Sequence, residues 1–300
     1  MISIKGLIRF LYWNPTPSVL IYRLLYNFIA TRSNCLVMRK VHGVKMVLNP
    51  CMGGIHRELF IYGDREPFSY RIFRKELRSL GEEGIVIDVG ANIGYYCLLE
   101  AQFCKRVYAI EPSLRNLKYL LVNIAVNSLQ DRIEVRRLAV GDHDGIAYIL
   151  RGEAPNLDSI STRDTGEVVK MMTLDSFIAK ERLERVDFVR MDIEGYECRM
   201  IKGAKRVLER FHPKLFIEIH PSMMPRYGDS IENLLNELSA LGYQVKYAVW
   251  EPLVPVSLRL PNPNVNWRIE KSLSIRDLLN NPELRKTFLR DWTRLFLESS

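Results

Sequence analysis

The sequence predicts an α/β fold with a doubly wound, mostly parallel sheet that carries helices on both faces. Three observations support this: strand and helix patterns alternate from Ile85 to Val249, the first strand runs into a glycine turn, and the predicted strands end in polar residues. Alternation of this kind is typical of parallel sheets, because each crossover helix returns the chain to the same edge. Ligands of such sheets bind beyond the carboxyl ends of the strands.

The segment before the sheet is apolar and basic. No Asp or Glu precedes Glu58, and the eight Lys and Arg residues up to Arg57 account for the whole net charge of +8. Such a segment favours an anionic partner, such as a membrane surface, nucleic acid or an acidic polymer. We expect residues 1–34 to be helical and too short and charged to span a bilayer. They either lie on anionic lipid, with 1–57 as the contact, or pack on the domain or across a dimer.

The chain divides into four predicted parts. After residues 1–34, residues 35–80 form a β-hairpin and a helix that cap the site, with a break in the helix at 62–67. Residues 81–250 form the α/β domain, which includes a predicted strand over 133–140, a strand pair of 146–150 with 168–172 and a helix over 198–211. Residues 251–300 form a C-terminal extension with one or two amphipathic helices over 274–297, interrupted at Asn281 and Pro282. The five cysteines are scattered and contain no C-x-x-C pair, which indicates a reducing cytoplasmic compartment. The predicted location is cytoplasmic, with peripheral attachment to the inner face of the membrane as an option.

The stretch 85–96 is the first strand and its glycine turn. A dinucleotide-binding turn has the pattern G-x-G-x-x-G, whereas here Asp88 precedes the first glycine, where it would repel a pyrophosphate. A carboxylate at that point suits an ammonium or sulfonium group instead. Glu111 ends the next strand, where an acidic residue accepts hydrogen bonds from ribose hydroxyls. Together the two residues predict S-adenosylmethionine as the cofactor, because it is cationic, contains a ribose and lacks phosphate.

Polar or acidic residues follow all five of the first predicted strands. In chain order they are Asp88, Gly90, Asn92 and Gly94, then Glu111, then Gly141 and Asp142, then Asp192 and Glu194, then Glu218 and His220. Any single one is also explained as a helix cap or a solvated loop residue. Carboxylates crowded at one sheet edge need a compensating cation or hydrogen bonds, and we expect the sulfonium to contribute that charge.

Five motifs resemble, in order and spacing, those of the FkbM family of S-adenosylmethionine-dependent methyltransferases. They are 86–96, 109–112, 173–175, 191–197 and 217–220, and the likeness spans roughly 42–249. The resemblance implies the class I methyltransferase (Rossmann-like) fold, with a seven-stranded sheet whose last strand is antiparallel. It also implies methylation of hydroxyl oxygens on sugars, glycolipids or polyketide-like products. The segment 62–66 differs from the family pattern by the insertion of Asp64 and Arg65.

The resemblance also implies which residues bind the cofactor. The residues at the methionine end are Asp88, Gly90, Ala91, Asn92, Gly94 and Tyr95, with Asp192 beside them; Glu111 and Pro112 hold the ribose, and Asp142 lies near the adenine.

Methyl transfer to a hydroxyl needs a group that accepts the proton. His220 is the best suited by its ordinary pKa. We expect His220 or Asp192 to be the base and Glu194 to orient the acceptor, with Glu218 as a further rival. No metal ligand is assigned, because one histidine with scattered carboxylates is not a recognisable ligand spacing, and whether a metal assists is left open.

The predicted function is therefore O-methylation of a small-molecule or glycan acceptor, most specifically a hydroxyl on a sugar, glycolipid or cell-envelope glycan. One alternative is an RNA or other nucleic-acid methyltransferase, but the acidic stretch 192–194 would repel a phosphate backbone, so no nucleic-acid partner is expected. A second alternative is a non-catalytic interaction module on the same fold. A third is an NAD-dependent oxidoreductase, which the missing third glycine and Asp88 disfavour. The oligomeric state is left open.

Overall fold

The structure is a computed structural model that describes residues 21–22, 24–26, 28, 35–161, 163–164, 166–250 and 268–299. Most of the predicted N-terminal helical segment, and residues 251–267 of the predicted extension, lie outside the described residues. The residues described between 21 and 28 are helical, as predicted. Tyr22 packs edge-on against Phe60, with ring centroids 5.4 Å apart, and lies under the guanidinium of Arg39. One side of this helix therefore packs on the rest of the protein.

The region before the central sheet consists of the predicted hairpin and two helices. Its elements are β1 (Val37–Val41), β2 (Val44–Leu48), α1 (Gly54–Tyr62) and α2 (Pro67–Arg78). The strands pair antiparallel about His42 and Gly43, which both have positive φ. Pro67 at the first position of α2 fixes the break predicted after Tyr62.

The central sheet has eight strands in the order β13-β12-β14-β11-β10-β3-β4-β5. Its members are β3 (Ile85–Val89), β4 (Arg106–Ile110), β5 (Ile133–Arg136), β10 (Phe188–Met191), β11 (Lys214–Ile219), β12 (Tyr243–Trp250), β13 (Arg268–Leu273) and β14 (Thr293–Ser299). The five strands from β5 to β11 are parallel, whereas β14 runs antiparallel to both of its neighbours. The prediction of a mostly parallel sheet with an antiparallel last strand is confirmed, and β13 adds an eighth strand at the edge.

The C-terminal part differs from the prediction. The predicted helices are present as α9 (Ile275–Asn280) and α10 (Pro282–Phe288), with the break at Asn281, but the prediction of helix as far as Leu297 is wrong. Residues 293–299 instead form β14, which lies between β11 and β12. The run is buried on both faces, and periodicity alone does not distinguish a short buried strand from a buried helix. Residues of the predicted extension thus complete the central sheet.

A smaller sheet packs beside the central one, in the order β6-β9-β7-β8. Its strands are β6 (Ala139–Val140), β7 (Gly145–Leu150), β8 (Ser159–Ser161) and β9 (Val168–Met172). The predicted pairing of β7 with β9 is confirmed and is antiparallel. The predicted single strand 133–140 is wrong, because the chain leaves the central sheet after Arg136 and enters the second sheet at Ala139.

Helices cover both faces of the central sheet, as predicted. Successive residues of β3 point to opposite faces, so Val86 belongs to one hydrophobic cluster and Ile87 to the other. The helices on the Val86 side are α3 (Tyr95–Glu100) and α4 (Leu114–Val126); those on the Ile87 side are α5 (Leu174–Glu181), α6 (Glu197–Lys202), α7 (Lys205–Phe211), α8 (Ile231–Ala240) and α9. The predicted helix over 198–211 is split into α6 and α7 at Gly203, whose Cβ would lie 2.0 Å from the carbonyl oxygen of Gly141.

Candidate active site

A cavity of about 590 Å³, here called the first cavity, opens at the carboxyl ends of β3, β4 and β10. Six of the predicted site residues line it: Gly90, Asn92, Glu111, Pro112, Asp192 and Glu194. The structure therefore brings together residues from the ends of three strands, as expected for a parallel sheet.

The glycine turn sets the wall of the first cavity. Gly90 has φ of +83°, and a Cβ there would lie 2.0 Å from the carbonyl oxygen of Asp192, so no larger residue fits. Asn92 also has positive φ, at 53°, and its backbone N–H donates to Glu111 Oε2 over 2.8 Å. The turn after β3 is thereby tied to the end of β4, and backbone approaches the cavity without side chains in the way.

Glu111 is held in a fixed orientation. Its Oε1 accepts hydrogen bonds from the backbone N–H of Ser113 at 2.8 Å and from the Asn116 amide at 3.3 Å. Burial raises the pKa of Glu111 to about 7, although these hydrogen bonds and the one from Asn92 act to lower it. The carboxylate lines the first cavity at the point where the sequence analysis expects ribose hydroxyls.

The residues present fit S-adenosylmethionine. Gly90 brings backbone to the cavity wall, and the buried carboxylate of Glu111 has no lysine or arginine partner among the described residues. Hydroxyl donors would complete its hydrogen bonding. The cavity also has apolar walls at Ile149 and Ile160, which suit a flat ring.

Asp88 is compensated differently from the expectation. It is fully buried, and its Oδ1 accepts a hydrogen bond from Arg190 at 2.9 Å. The same guanidinium donates to the Gly90 carbonyl at 3.1 Å and to Asp192 Oδ2 at 3.0 Å. Burial raises the pKa of Asp88, and Arg190 opposes that rise. The expected reliance on a bound sulfonium is thus wrong in part, because arginine already supplies charge, and Asp88 does not contribute to the described wall of the first cavity.

A second arginine compensates the charge of a buried carboxylate on the neighbouring strand β11. Arg294 of β14 is fully buried and donates to both carboxylate oxygens of Glu218, at 3.0 and 3.2 Å. It also lies 2.8 Å from Glu66, the residue before α2, which accepts a further hydrogen bond from the Tyr96 hydroxyl. Despite the cost of burial, the charges of Arg294 and Arg65 hold the pKa of Glu66 at about 2. The network joins the cap region, β11 and β14.

His220 lies at the centre of the carboxylates. It is 1% exposed, and its Nδ1 is 2.8 Å from Glu197 Oε1. Its Nε2 makes no hydrogen bond with any described residue, although it lies 3.7 Å from Glu194, 3.9 Å from Glu218 and 4.0 Å from Asp192. Burial lowers the pKa of His220, but the hydrogen bond and charge of Glu197, with Glu194 and Glu218, outweigh it and raise the pKa to about 10.

Glu194 is a buried carboxylate whose hydrogen bonding is incomplete. Its Oε2 is buried and has no hydrogen-bond partner in the described part of the chain. Burial raises its pKa to about 8, with the charges of Asp192 and Glu218 adding to the rise and His220 opposing it. Its backbone has φ of +54°, and a Cβ at the following Gly195 would lie 2.6 Å from Met223 Cβ. A strained backbone and a buried acid of raised pKa are features of functional sites.

A second cavity of about 970 Å³ adjoins the first, and Glu194 and Asn156 line both. Its other walls come from the loop before α1, from the cap region and from the residue before β14. The remaining lining residues are Met52, Gly53, Gly54, Arg57, Glu58, Arg65, Glu153, Ala154, Leu157, Glu218 and Trp292. Trp292 is 40% exposed, has φ of +65° and donates its backbone N–H to the Ile219 carbonyl at 3.0 Å.

Four other predicted cofactor residues lie away from the cavity wall. Ala91 and Tyr95 are buried, and Gly94 caps the start of α3. Asp142 accepts a hydrogen bond from Arg199 at 2.7 Å and contacts His143 at 2.8 Å. Their predicted roles in cofactor binding stay predictions.

Sequence reasoning missed Arg190, Arg294, Glu197 and Trp292. A signal existed for the two arginines, since each interrupts an otherwise apolar run, and a buried arginine must pair with a carboxylate. No local signal marks Trp292, because its position depends on the insertion of β14.

A family model, the methyltransferase FkbM domain, matches residues 88–245 and so covers more than half of the chain. The chain belongs to the FkbM methyltransferase family. The predicted family, class I fold and cofactor, S-adenosylmethionine, are thereby confirmed. Among its described residues, the chain has no helix with the length and apolar character needed to span a bilayer.

Solved structures similar to this chain include the FkbM methyltransferase from Methylobacillus flagellatus. It is 20% identical with a TM-score of 0.39 over 69% of this chain, which spans half of the length of that protein. An rRNA methylase from Streptococcus thermophilus has 11% identity and a TM-score of 0.42, covering 77% of this chain and 96% of that one. TYW2 from M. jannaschii, in complex with AdoMet, has 17% identity and a TM-score of 0.39, covering 90% and 89%. No curated protein matches the chain.

Proposed function

We propose that this FkbM methyltransferase methylates a hydroxyl oxygen of a sugar, glycolipid or other cell-envelope glycan. The observation that carries the proposal is the position of Glu194, whose unpartnered carboxylate oxygen lies between two adjoining cavities. One cavity suits the methyl donor and the other suits an acceptor. Between them, a group that accepts a proton is what O-methylation requires.

In the first cavity the chain binds and orients the cofactor. S-Adenosylmethionine supplies an already activated methyl group, so the protein contributes alignment and a proton acceptor. Glu111 would accept hydrogen bonds from the ribose hydroxyls, and the backbone around Gly90 and Asn92 would hold the methionine end. Asp192, which lines the same cavity, adds negative charge near the cationic sulfur.

Glu194 is the group we assign as base, in place of His220 or Asp192. A pKa of about 10 leaves His220 protonated near neutral pH, so it has no free lone pair with which to accept the proton. Asp192 already accepts a hydrogen bond from Arg190 at 3.0 Å. Glu194 has a pKa of about 8, close to the pH at which a general base works best. The sequence predicts that Glu194 orients the acceptor, whereas its position between the two cavities supports a role as the base.

The second cavity suits a sugar more than a nucleic acid. Trp292 presents a large, half-exposed aromatic face on which an apolar ring face packs, with a polar N–H at its rim. Charged and polar residues that can bind hydroxyls, including Arg57, Glu58 and Glu153, surround it. The carboxylates on this wall oppose a phosphate backbone, so the nucleic-acid alternative gains no support.

Peripheral attachment to the cytoplasmic face of a membrane is part of the same proposal. Ile21, Leu24, Leu25 and Phe28 are spaced i, i+3, i+4 and i+7 and are 44–61% exposed, so they form one apolar stripe on the helix. The segment up to Arg57 contains basic residues and no Asp or Glu, so together with this apolar stripe it suits an anionic lipid surface. We expect the protein to sediment with phosphatidylglycerol vesicles at low salt, and Leu24→Glu to weaken that binding.

The test is a transfer assay with methyl-labelled cofactor on a cell-envelope glycan extract, separated into lipid-linked and free fractions. We expect label in an alkali-stable ether on a sugar, and none with Glu194→Gln. The matched control is Glu209→Gln, an exposed change on α7 away from both cavities. Label in RNA, or in a glycan ester that alkali releases, would refute the proposed acceptor chemistry.

A further inference from the structure

We propose that Asp192, Glu218 and His220 bind a divalent cation at the junction of the two cavities. One ligand atom from each residue lies within 4.8 Å of the other two. The residues come from the ends of the adjacent strands β10 and β11, so the sheet itself fixes their spacing. Asp192 lines the first cavity and Glu218 the second, which places the ion between them.

The state of His220 Nε2 is what points to a ligand rather than to a plain acidic cluster. This atom is buried and faces three carboxylates, yet makes no hydrogen bond to any residue that the structure describes. Its distances of 3.7–4.0 Å to their oxygens are too long for an N–H···O hydrogen bond, which is about 2.7–3.2 Å. Metal bonds of about 2.0–2.5 Å from a central ion to each donor span separations of this size.

The other nitrogen of His220 supports the same assignment. Glu197 Oε1 lies 2.8 Å from Nδ1, so Nδ1 keeps its proton, and an ion would bind at Nε2 in place of the proton that Nε2 carries in the ion-free protein. A carboxylate behind a histidine in this way is the usual arrangement around a metal-ligating imidazole. Glu197 is fully buried and on α6, which fixes it independently of the cavity. We assign Glu197 as a positioning residue.

Two arginines orient the carboxylate ligands. Arg190 contacts Asp192 Oδ2 at 3.0 Å, and Arg294 contacts both oxygens of Glu218. Each carboxylate oxygen has a second lone pair, so these contacts leave donors for an ion. One nitrogen and two carboxylate oxygens form a mixed donor set, which suits Mn²⁺ better than the all-oxygen ion Ca²⁺ or the thiolate-seeking ions. Glu194 borders the site, with Oε2 at 3.7 Å from Nε2.

The test is equilibrium binding of Mn²⁺ to the chelator-treated full chain, followed by the loss of the free-ion electron paramagnetic resonance signal. We expect one ion per chain with micromolar affinity. His220→Gln and Asp192→Asn should each weaken binding more than roughly 100-fold, and Glu197→Gln by roughly 10–100-fold, the usual cost of losing such a support. The control is His143→Gln, which changes an exposed histidine that also contacts an aspartate.

Urea unfolding, measured on the same samples, reports the fold of each variant. Because Mn²⁺ binding is measured without any acceptor, its outcome is independent of the proposed glycan chemistry. No saturable Mn²⁺ binding by the wild-type chain would overturn the proposal. So would wild-type affinity in His220→Gln or Asp192→Asn, since the ion would then be bound elsewhere.

Discussion

The buried polar groups at the carboxyl edge of the sheet fall into two sets with different partners. In the paired set, Asp88 lies 2.9 Å from Arg190, and Glu66 lies 2.8 Å from Arg294. In the open set, Glu194 Oε2 and His220 Nε2 have no hydrogen-bond partner among the described residues. The paired set joins the strands to the region before the central sheet, whereas in the open set Glu194 lines both cavities and His220 Nε2 lies 3.7 Å from it.

The difference teaches that acidic residues at one sheet edge do not share one role. A buried charge that is matched by an arginine is part of the fold, and removing its partner leaves an uncompensated charge. A buried group that the fold leaves unmatched costs free energy in the ligand-free protein and is retained for what it binds. Stability and activity should therefore respond to different substitutions.

The largest expected effect is on activity in the open set. Glu194→Gln removes the proton acceptor but keeps its shape, so methyl transfer should fall by about 10²- to 10⁴-fold. The free energy of unfolding should change by less than about 1 kcal/mol, because the amide removes a poorly compensated charge. Initial rates and urea unfolding on the same preparation measure both quantities. A large loss of stability with normal specific activity would place Glu194 in the paired set.

The next effect is on stability in the paired set. Arg190→Met leaves Asp88 buried without its cation and should lower the free energy of unfolding by about 3–5 kcal/mol. Arg206→Met is the matched control, since that side chain is 80% exposed and 3.3 Å from Asp175, and should cost no more than about 1 kcal/mol. Urea denaturation compares the two. Equal, small effects would show that the buried pair does not stabilise the fold.

Ionisation of Glu111 should make both the stability of the protein and its cofactor affinity depend on pH. The folded pKa of Glu111, about 7, is raised above the unfolded value of about 4.3, so this residue contributes stability at low pH that is lost as pH rises through 7. Cofactor binding should have the opposite sign, because ribose hydroxyls donate to the ionised carboxylate. The dissociation constant for S-adenosylmethionine should rise by up to about tenfold per pH unit below 7. Calorimetry from pH 6 to 8 measures this, and Glu111→Gln should flatten the profile.

The smallest expected effect lies at the rim of the second cavity. Trp292→Ala removes an aromatic face worth about 1 kcal/mol in packing against an acceptor, so the acceptor KM should rise several-fold with kcat little changed. Cofactor affinity should stay at the wild-type value, because Trp292 lines only the second cavity. A fall in cofactor affinity instead would mean that the two cavities are not separate sites.

Much of the fold was predictable from local patterns. The β1–β2 hairpin, the alternating elements from β3 onward and the glycine turn at Gly90 each follow from residues close together in the chain. The β14 strand was not, because a short run such as 293–297 takes its conformation from the strands on either side. The grouping of the predicted site residues was also predictable, because the carboxyl ends of parallel strands meet at one edge of the sheet.

The pairing of the site's carboxylates with arginines was harder to predict from the sequence. Arg190 pairs with Asp88, which is 102 residues away in the chain, and Arg294 pairs with Glu218 across β14 and β11. These partners meet only when the strand order is known. Sequence reasoning therefore grouped the carboxylates at one edge of the sheet but named the cofactor, and no arginine, as the source of compensating charge.

The most direct test of the account is a crystal structure of the protein with S-adenosylhomocysteine. We predict that its ribose hydroxyls contact Glu111 and that its sulfur points past Asp192 toward Glu194 and the second cavity. A product molecule bound outside the first cavity, or one whose sulfur faces away from Glu194, would contradict the account.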